Sequence, residues 1–377
     1  MSIDTFEMER LQSLHWHEVH HDLSESGVLP LEVGELLAGR EDPEAFLRTA
    51  LGYPLSEGSE LTRERIAGWY EGASLTNVTV VNGGSEANHL VLWSVLEPGD
   101  RLAFMLPNYL QGWGLGRHYG EATDVFHLRI QGDRWALDTD ELAAAIGPST
   151  KAVMVCNPNN PTGHVLTTAE MDAIVAAAER VGAWLICDEI YRGAELQGEE
   201  LTPTFWGRYD RVAVTSGLSK AFAMPGLRIG WVVAPVDLIA EVWRRHDYTT
   251  LTPGMLSDRL CAIAMEPSTR DRILERTRRI VRMQLPRLES WISGHGDLLT
   301  YVPPRAGAIA YVGYDLPIGS TELIDRIRTE RSVLLVPGDM FFGEDRGIRF
   351  GYGMDIERTM AALARVDDVL EGLRAPV

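Results

Sequence analysis

Cysteine is scarce in this chain. Its 377 residues include three, Cys156, Cys187 and Cys261. So odd and sparse a set gives no disulfide framework and no C-x-x-C metal pair. A reducing cytoplasm is the simplest setting for it. Long apolar runs are absent as well, and no stretch reaches the length of a membrane span. The N-terminus, MSIDTFEMERL, is acidic and lacks an apolar core, so no signal peptide is expected there. Positive charge is in deficit. The formal net charge is −19 and the pI is near 5.0. That balance argues against nonspecific binding to nucleic acid or anionic membrane, while leaving room for a small anionic ligand at a locally positive site. There is no internal repeat and no low-complexity segment. What remains is ordinary: 45% hydrophobic and 24% charged residues, the composition of a globular protein. The length allows about two domains and a sizeable core.

From about residue 77 the pattern alternates strands and helices. VTVVNG reads as a strand entering a turn, and SEANHLVLWSVL carries helical periodicity. RLAFML (101–106), KAVMVC (151–156), AWLICDE (183–189), RVAVTS (211–216) and RIGWVVA (228–234) are short, nearly continuous apolar runs. Such strands are buried on both faces, as in a mostly parallel sheet covered by helices. TTAEMDAIVAAAERVG reads as a helix, with Thr167 and Glu170 at capping-box spacing and Gly182 at the C-cap. After about residue 270 a long charged amphipathic helix gives way to short strands mixed with helices, ending in a helix from Asp355. The expected architecture is α/β, with a large domain over 46–275. A smaller α+β domain would be formed by 1–45 and 276–377.

Residues 17–21, His-Glu-Val-His-His, fit H-E-x-x-H, a zinc signature that needs both histidines on one helix face and a third ligand downstream. No later His or Glu falls into a recognisable third-ligand pattern. Four other segments carry more. NGGSEAN (82–88) is a glycine turn between strand and helix, where backbone N–H groups attract phosphate. CNPNNPTG (156–163) is an irregular loop at a strand's carboxyl end, where α/β sheets place ligands. CDEIYRG (187–193) puts Asp188 at the rim of the sheet, where a carboxylate needs a cationic or hydrogen-bonding partner. In SGLSKAFAMPGLRIGW (216–231), Lys220 is framed by small residues, as a Schiff-base amine would be. Arg228 follows eight residues later, and its guanidinium suits bidentate phosphate binding. Each segment alone has a plain structural reading as a turn, a cap or a surface ion pair. Together they supply what pyridoxal phosphate requires: a lysine, an acid for a pyridinium nitrogen, and phosphate binders.

With NPNNPTG, DEIY and SGLSKAFAMPGLRIGW in place, the chain resembles the class I/II aminotransferases of the fold-type I pyridoxal-phosphate enzymes, from about residue 22 to the C-terminus. The resemblance implies a pyridoxal 5'-phosphate cofactor and a homodimer with a shared active site. It implies that Lys220 bonds the cofactor and shuttles the Cα proton, that Asp188 pairs with the pyridine nitrogen, and that Tyr191 and Asn160 hydrogen-bond the phenolic oxygen. Tyr109 would stack on the ring. Gly84, Ser85, Glu86, Ser219 and Arg228 would hold the phosphate, with Tyr53 reaching the phosphate of the neighbouring subunit. Arg349, in GIRFGYG, would grip the substrate α-carboxylate, assisted by Asn160 and a backbone contact at Gly27.

The entry segment HDLSESGVLPLEVGELL and the stretch DYTTLTP (247–253) depart from the common pattern. They look like capreomycidine synthase and its relatives, which keep the aminotransferase fold but eliminate and cyclise a hydroxylated arginine. Transamination is the leading expectation and elimination with cyclisation the alternative. Glu25 is then a candidate for meeting a cationic side chain, beside its plain reading as a loop carboxylate. In the resembled family the region of HEVHH is a short helix or arm, so its histidines are expected at the surface or the entrance, where some could fold over the site as a lid.

Overall fold

The computed structural model describes residues 3–39, 42–343 and 345–374. Its strands run in the order β1 (His21–Asp22), β2 (Val78–Val81), β3 (Arg101–Leu106), β4 (Ala122–Gln131), β5 (Arg134–Leu137), β6 (Thr150–Cys156) and β7 (Trp184–Asp188). There follow β8 (Val212–Gly217), β9 (Gly230–Val233), β10 (Leu299–Tyr301), β11 (Ile309–Tyr314), β12 (Val333–Leu334), β13 (Val336–Pro337) and β14 (Gly347–Gly351). Eight of them form one sheet in the order β2-β9-β8-β7-β6-β3-β4-β5. The run from β8 through β4 is parallel. β9 is antiparallel to both β2 and β8, and β5 is antiparallel to β4.

The apolar runs become interior strands because both faces are covered. Every residue of β2, β8 and β9 is buried. Alternate side chains feed two cores: Trp231 and Val233 of β9 join one cluster, and Val232 joins another across the sheet. Helix Thr168–Val181 has the expected ends. The Thr167 side chain accepts the Glu170 N–H, Glu170 returns the bond to the Thr167 N–H at 2.7 Å, and Gly182 adopts φ 68°. A second sheet, β10-β11-β14-β13, is antiparallel and packs on its own cluster, which includes Val281, Leu285, Ile324 and Val366. β1 pairs with β12 and ties the N-terminal segment to this part.

Two features were not anticipated. β4 and β5 form a hairpin at the edge of the large sheet, and only Phe126 and Leu128 of the ten β4 residues are buried. An edge strand with so few inward apolar positions has a weak period-two signal. The continuous apolar run SVLLVPG (332–338) is divided at Leu335 between β12 and β13, which belong to different sheets. Among the described residues, no helix is long and apolar enough to cross a membrane.

Because β3, β6, β7 and β8 are parallel, their carboxyl ends share one edge of the sheet. β2 reaches the same edge, being antiparallel to β9, which is antiparallel to β8. The loops that follow these strands meet there, at the place where open α/β sheets bind ligands.

Candidate active site

At that edge lies a cavity of about 780 Å³. Its wall includes Gly84, Ser85, Tyr109, Asn160, Asp188, Tyr191, Ser219, Lys220, Arg228, Arg349, Glu25 and Gly27, which lie far apart in sequence. Two of the expected residues are elsewhere. Glu86 does not line the cavity: its carboxylate turns back to accept the Asn82 N–H at 2.6 Å and the Thr249 hydroxyl at 2.7 Å. Tyr53 is 87% exposed and away from the cavity of its own chain.

Asp188 ends β7 at the cavity floor. Its Oδ2 accepts the Asn88 side-chain amide at 2.8 Å and its Oδ1 the Ile190 N–H at 3.0 Å. The Thr215 hydroxyl donates to Asn88 Oδ1 at 2.5 Å, which fixes the amide so that its N–H faces Asp188. Burial pushes the Asp188 carboxyl above its ordinary value, against the pull of Asn88, Ile190 and Lys220. Its hydrogen-bond donors are neutral, so a cationic N–H arriving from the cavity would supply the missing counter-charge.

Lys220 Nζ donates to Glu25 Oε1 at 2.7 Å, and the same oxygen accepts the Gly27 N–H at 2.8 Å. Burial tends to raise the Glu25 carboxyl. The Lys220 ammonium and the Gly27 N–H outweigh burial and hold the carboxyl at about 2. Gly27 itself has little room: a Cβ there would lie 3.2 Å from Glu25 Oε1 and 3.4 Å from the Ser219 carbonyl.

Helix Gly84–Val95 starts directly after Gly83, whose φ of 104° suits glycine. A Cβ on Gly83 would sit 2.5 Å from Arg228 Nη2, so the missing side chain is what brings the guanidinium over the helix start. Arg228 Nη1 is 3.4 Å from Ser219 Oγ. Helix N–H groups, a hydroxyl and a guanidinium thus converge on one corner, a donor set that suits a phosphate.

Arg349, on β14, is 1% exposed. Nη1 donates to Asn160 Oδ1 at 3.1 Å and Nη2 to the Ser24 carbonyl, while Nε has no partner. No carboxylate lies within 4.0 Å of it among the ion pairs of the described residues. Burial lowers its pKa, opposed by Tyr191, Glu25, Glu9 and Asp22. A buried guanidinium short of a counter-ion is costly by itself and suited to an incoming carboxylate. The Tyr191 hydroxyl donates to Ser26 Oγ at 2.9 Å, and the Tyr109 hydroxyl to Glu9 Oε1 at 2.8 Å.

The N-terminal helix Glu7–His15 contributes Met8, Glu9 and Gln12 to the wall, followed by Trp16 and His17. His17 was expected at the entrance; Met8, Glu9, Gln12, Trp16, Asn88, Asp22 and Ser26 were not singled out from the sequence. Asn88 lay inside the quoted NGGSEAN, and Asp22 and Ser26 inside the quoted HDLSESGVLPLEVGELL; an amphipathic helix of nine residues has no mark that aims it at a site. The helix ends at His15, residues 16–20 form turns and bends, and His21 opens β1. His17 and His21 therefore share no helix face, and the zinc geometry is not built. His15 bonds Glu18 at 2.9 Å. Of the four nearby histidines only His17 reaches the cavity wall.

Residues 36–366 match the model of the family "Aminotransferase class I and II". The chain belongs to that family, whose members typically depend on pyridoxal phosphate. Capreomycidine synthase of Streptomyces vinaceus is 29% identical over 91% of this chain and 88% of its own length. Aspartate aminotransferase of Streptomyces avermitilis is 28% identical over 78% of this chain and 74% of its own. Among solved structures, a PLP-dependent aminotransferase from Streptococcus suis superimposes with a TM-score of 0.92 at 28% identity, covering both chains fully. The PLP-dependent cyclase OrfR superimposes with a TM-score of 0.88 at 28% identity, over 100% of this chain and 99% of its own.

Proposed function

We propose that this protein is a pyridoxal 5'-phosphate enzyme acting on an α-amino acid, with transfer of the amino group to a 2-oxo acid as its leading activity. The observation that carries this reading is that Lys220, Asp188 and Arg349 open into one cavity. When bound, the cofactor supplies an electron sink that allows the Cα–H bond of an amino acid to break. The protein's part is to hold and orient. Lys220 retains the cofactor and then accepts the Cα proton at Nζ. Asp188 would meet the ring nitrogen, Tyr191 and Asn160 would meet the ring oxygen, and Tyr109 would lie against the ring. The backbone N–H groups of Gly84 and Ser85 would hold the phosphate with Ser219 and Arg228. Arg349 takes the α-carboxylate beside Asn160 and Gly27.

A homodimer belongs to this reading. Tyr53 is flanked by Leu51 and Leu55, exposed by 77% and 56%, as expected where a second copy covers them and Tyr53 reaches that copy's phosphate. Three free, buried cysteines support a cytoplasmic setting.

Elimination with cyclisation is the second reading. It is favoured by the full-length likeness to OrfR and the 91% coverage by capreomycidine synthase. The two readings share proton removal by Lys220 and part afterwards. Product mass separates them: a 2-oxo acid marks transamination, and loss of water or another leaving group without a 2-oxo acid marks elimination.

The chain has only two lysines, Lys151 and Lys220. Borohydride reduction of the loaded protein should leave the cofactor's mass on the peptide containing Lys220 and none on that containing Lys151. Lys220→Ala should lose the visible band. A protein that binds the cofactor with Lys220 unmodified would overturn the assignment.

A further inference from the structure

The grip of Arg349 depends on its aim. A guanidinium and a carboxylate pair through two parallel bonds only when their planes match. Arg349 is aimed by neutral oxygens: Nη1 donates to Asn160 Oδ1 at 3.1 Å and Nη2 to the Ser24 carbonyl. Neutral acceptors fix the group without cancelling its charge, so the charge stays available to a ligand. Asn160 stands on the loop after β6, and Ser24 on the extended segment after β1. The Ser24 carbonyl can aim the arginine only if it is itself held.

A directed set of bonds holds it. Asp22 Oδ1 accepts the Ser24 N–H at 2.8 Å and the Ser24 hydroxyl at 2.6 Å. With its hydrogen given to Asp22, Ser24 Oγ has only acceptor capacity left, and a carbonyl oxygen never has any other. Gln12 Nε2 donates to both the Ser24 carbonyl and Ser24 Oγ, at 3.0 Å each. The orientation of the Gln12 amide is thereby set: turned over, it would put Oε1 against two acceptors. The Ser24 carbonyl thus receives both Gln12 and Arg349. Gln12 and Ser24 are buried, where a lost bond is costly. Met8, one turn before Gln12 on the same helix face, places Sδ 3.9 Å from Arg349 Nη1. The helix Glu7–His15 therefore meets this network at two successive turns.

We propose that Gln12 is a positioning residue for Arg349, acting through the Ser24 carbonyl, and that it thereby sets the affinity for the substrate α-carboxylate. The inference rests on the reading above, in which Arg349 takes that carboxylate. A purely structural role for Gln12, docking the helix, would be indifferent to whether the ligand carries a carboxylate.

Two ligands that differ only in the carboxylate separate these roles. The first is whichever of the protein amino acids binds the cofactor-loaded protein most tightly; the second is the amine left when its carboxylate is removed. Dissociation constants are read from the visible band and by calorimetry. Gln12→Met removes the donor at near-constant volume. It should weaken binding of the amino acid by about three- to tenfold and leave that of the amine unchanged within about twofold. Gln12→Asn keeps the amide but shortens its reach. It should show the same split, and it replaces Gln12→Met if that variant does not fold. In an Arg349→Gln background neither change should weaken the amino acid further, because residues of one network do not contribute independently. Equal weakening of both ligands, weakening of neither, or a full additional loss in the Arg349→Gln background would overturn the positioning role. An unaltered protein that binds the amino acid no better than the amine would overturn Arg349 as the carboxylate residue, and the inference with it, while the assignment of Lys220 to the cofactor stands. Absence of a visible band from the unaltered protein mixed with cofactor would instead overturn the cofactor reading itself.

Discussion

The floor and the roof of the cavity are built by different rules. The floor comes from strand ends of the large sheet: Asp188 after β7, Lys220 after β8 and Asn160 after β6. Asp188 and Asn160 are each held by a buried neighbour, Asn88 and Arg349 respectively. The roof comes from the first 30 residues: a nine-residue helix and an extended segment that crosses to β12. Its carboxylates at the cavity wall are Glu9, Asp22 and Glu25. A rigid floor suits chemistry common to a family, and a roof made of one helix and one strap is where a substrate preference can change without disturbing that chemistry.

The largest effect expected from breaking the floor is at Asp188. Asp188→Asn keeps the shape and removes the counter-charge, so kcat/KM should fall by about 10²–10³-fold, with little change in the circular dichroism of the fold. A variant within threefold of the parent would mean that Asp188 faces no developing charge. Asn88→Ala probes the next layer down. It deletes the bond to Asp188 and strands the Thr215 hydroxyl. A loss of about tenfold in kcat is expected, with substrate affinity unchanged because Asn88 touches no group assigned to the substrate. A rise in KM alone would place Asn88 in substrate binding.

Legibility in the sequence followed the same division. The interior strands were read nearly to the residue, because a strand buried on both faces must be apolar throughout. The floor residues were found because irregular Asn, Pro and Gly turns at strand ends are costly to keep without a purpose. The roof was mostly invisible. Glu9 and Gln12 look like any polar residues of a short surface helix, yet Gln12 is 6% exposed and donates to the Ser24 carbonyl at 3.0 Å, the oxygen that also receives Arg349. That relation spans the length of the chain and has no local signal. The HEVHH match misled in the opposite way, since its spacing is meaningful only on a helix and the helix stops at His15. The division into 46–275 and 1–45 with 276–377 is kept as a proposal. The N-terminal segment contributes to both sides, with Met8 and Leu36 in a core of the large sheet and Leu23 and Val28 in that of the small one.

The smallest effect sharpens the contrast, because it concerns an ion pair that joins roof to floor, Glu25 with Lys220. In the cofactor-free protein Glu25 is held at about 2, below its ordinary 4.5. A carboxyl depressed on folding adds stability above its unfolded value, and that stability is lost as pH falls through the folded value. The contribution should therefore be complete above about pH 5 and should fade between pH 4.5 and 2. The side chains of Lys220 and Glu25 are 24% and 27% exposed, so water screens part of it, and about 1–2 kcal/mol is expected. Urea unfolding of cofactor-free protein and Glu25→Gln at pH 6, 4 and 3 reads the difference directly. A gap between the two that narrows toward acid supports the pair, and a gap independent of pH sinks it. With cofactor bound, Lys220 is engaged elsewhere, so the gap at pH 6 should shrink. If it does not, Glu25 is anchored by the Gly27 N–H alone, and the roof is coupled to the floor by shape rather than by charge.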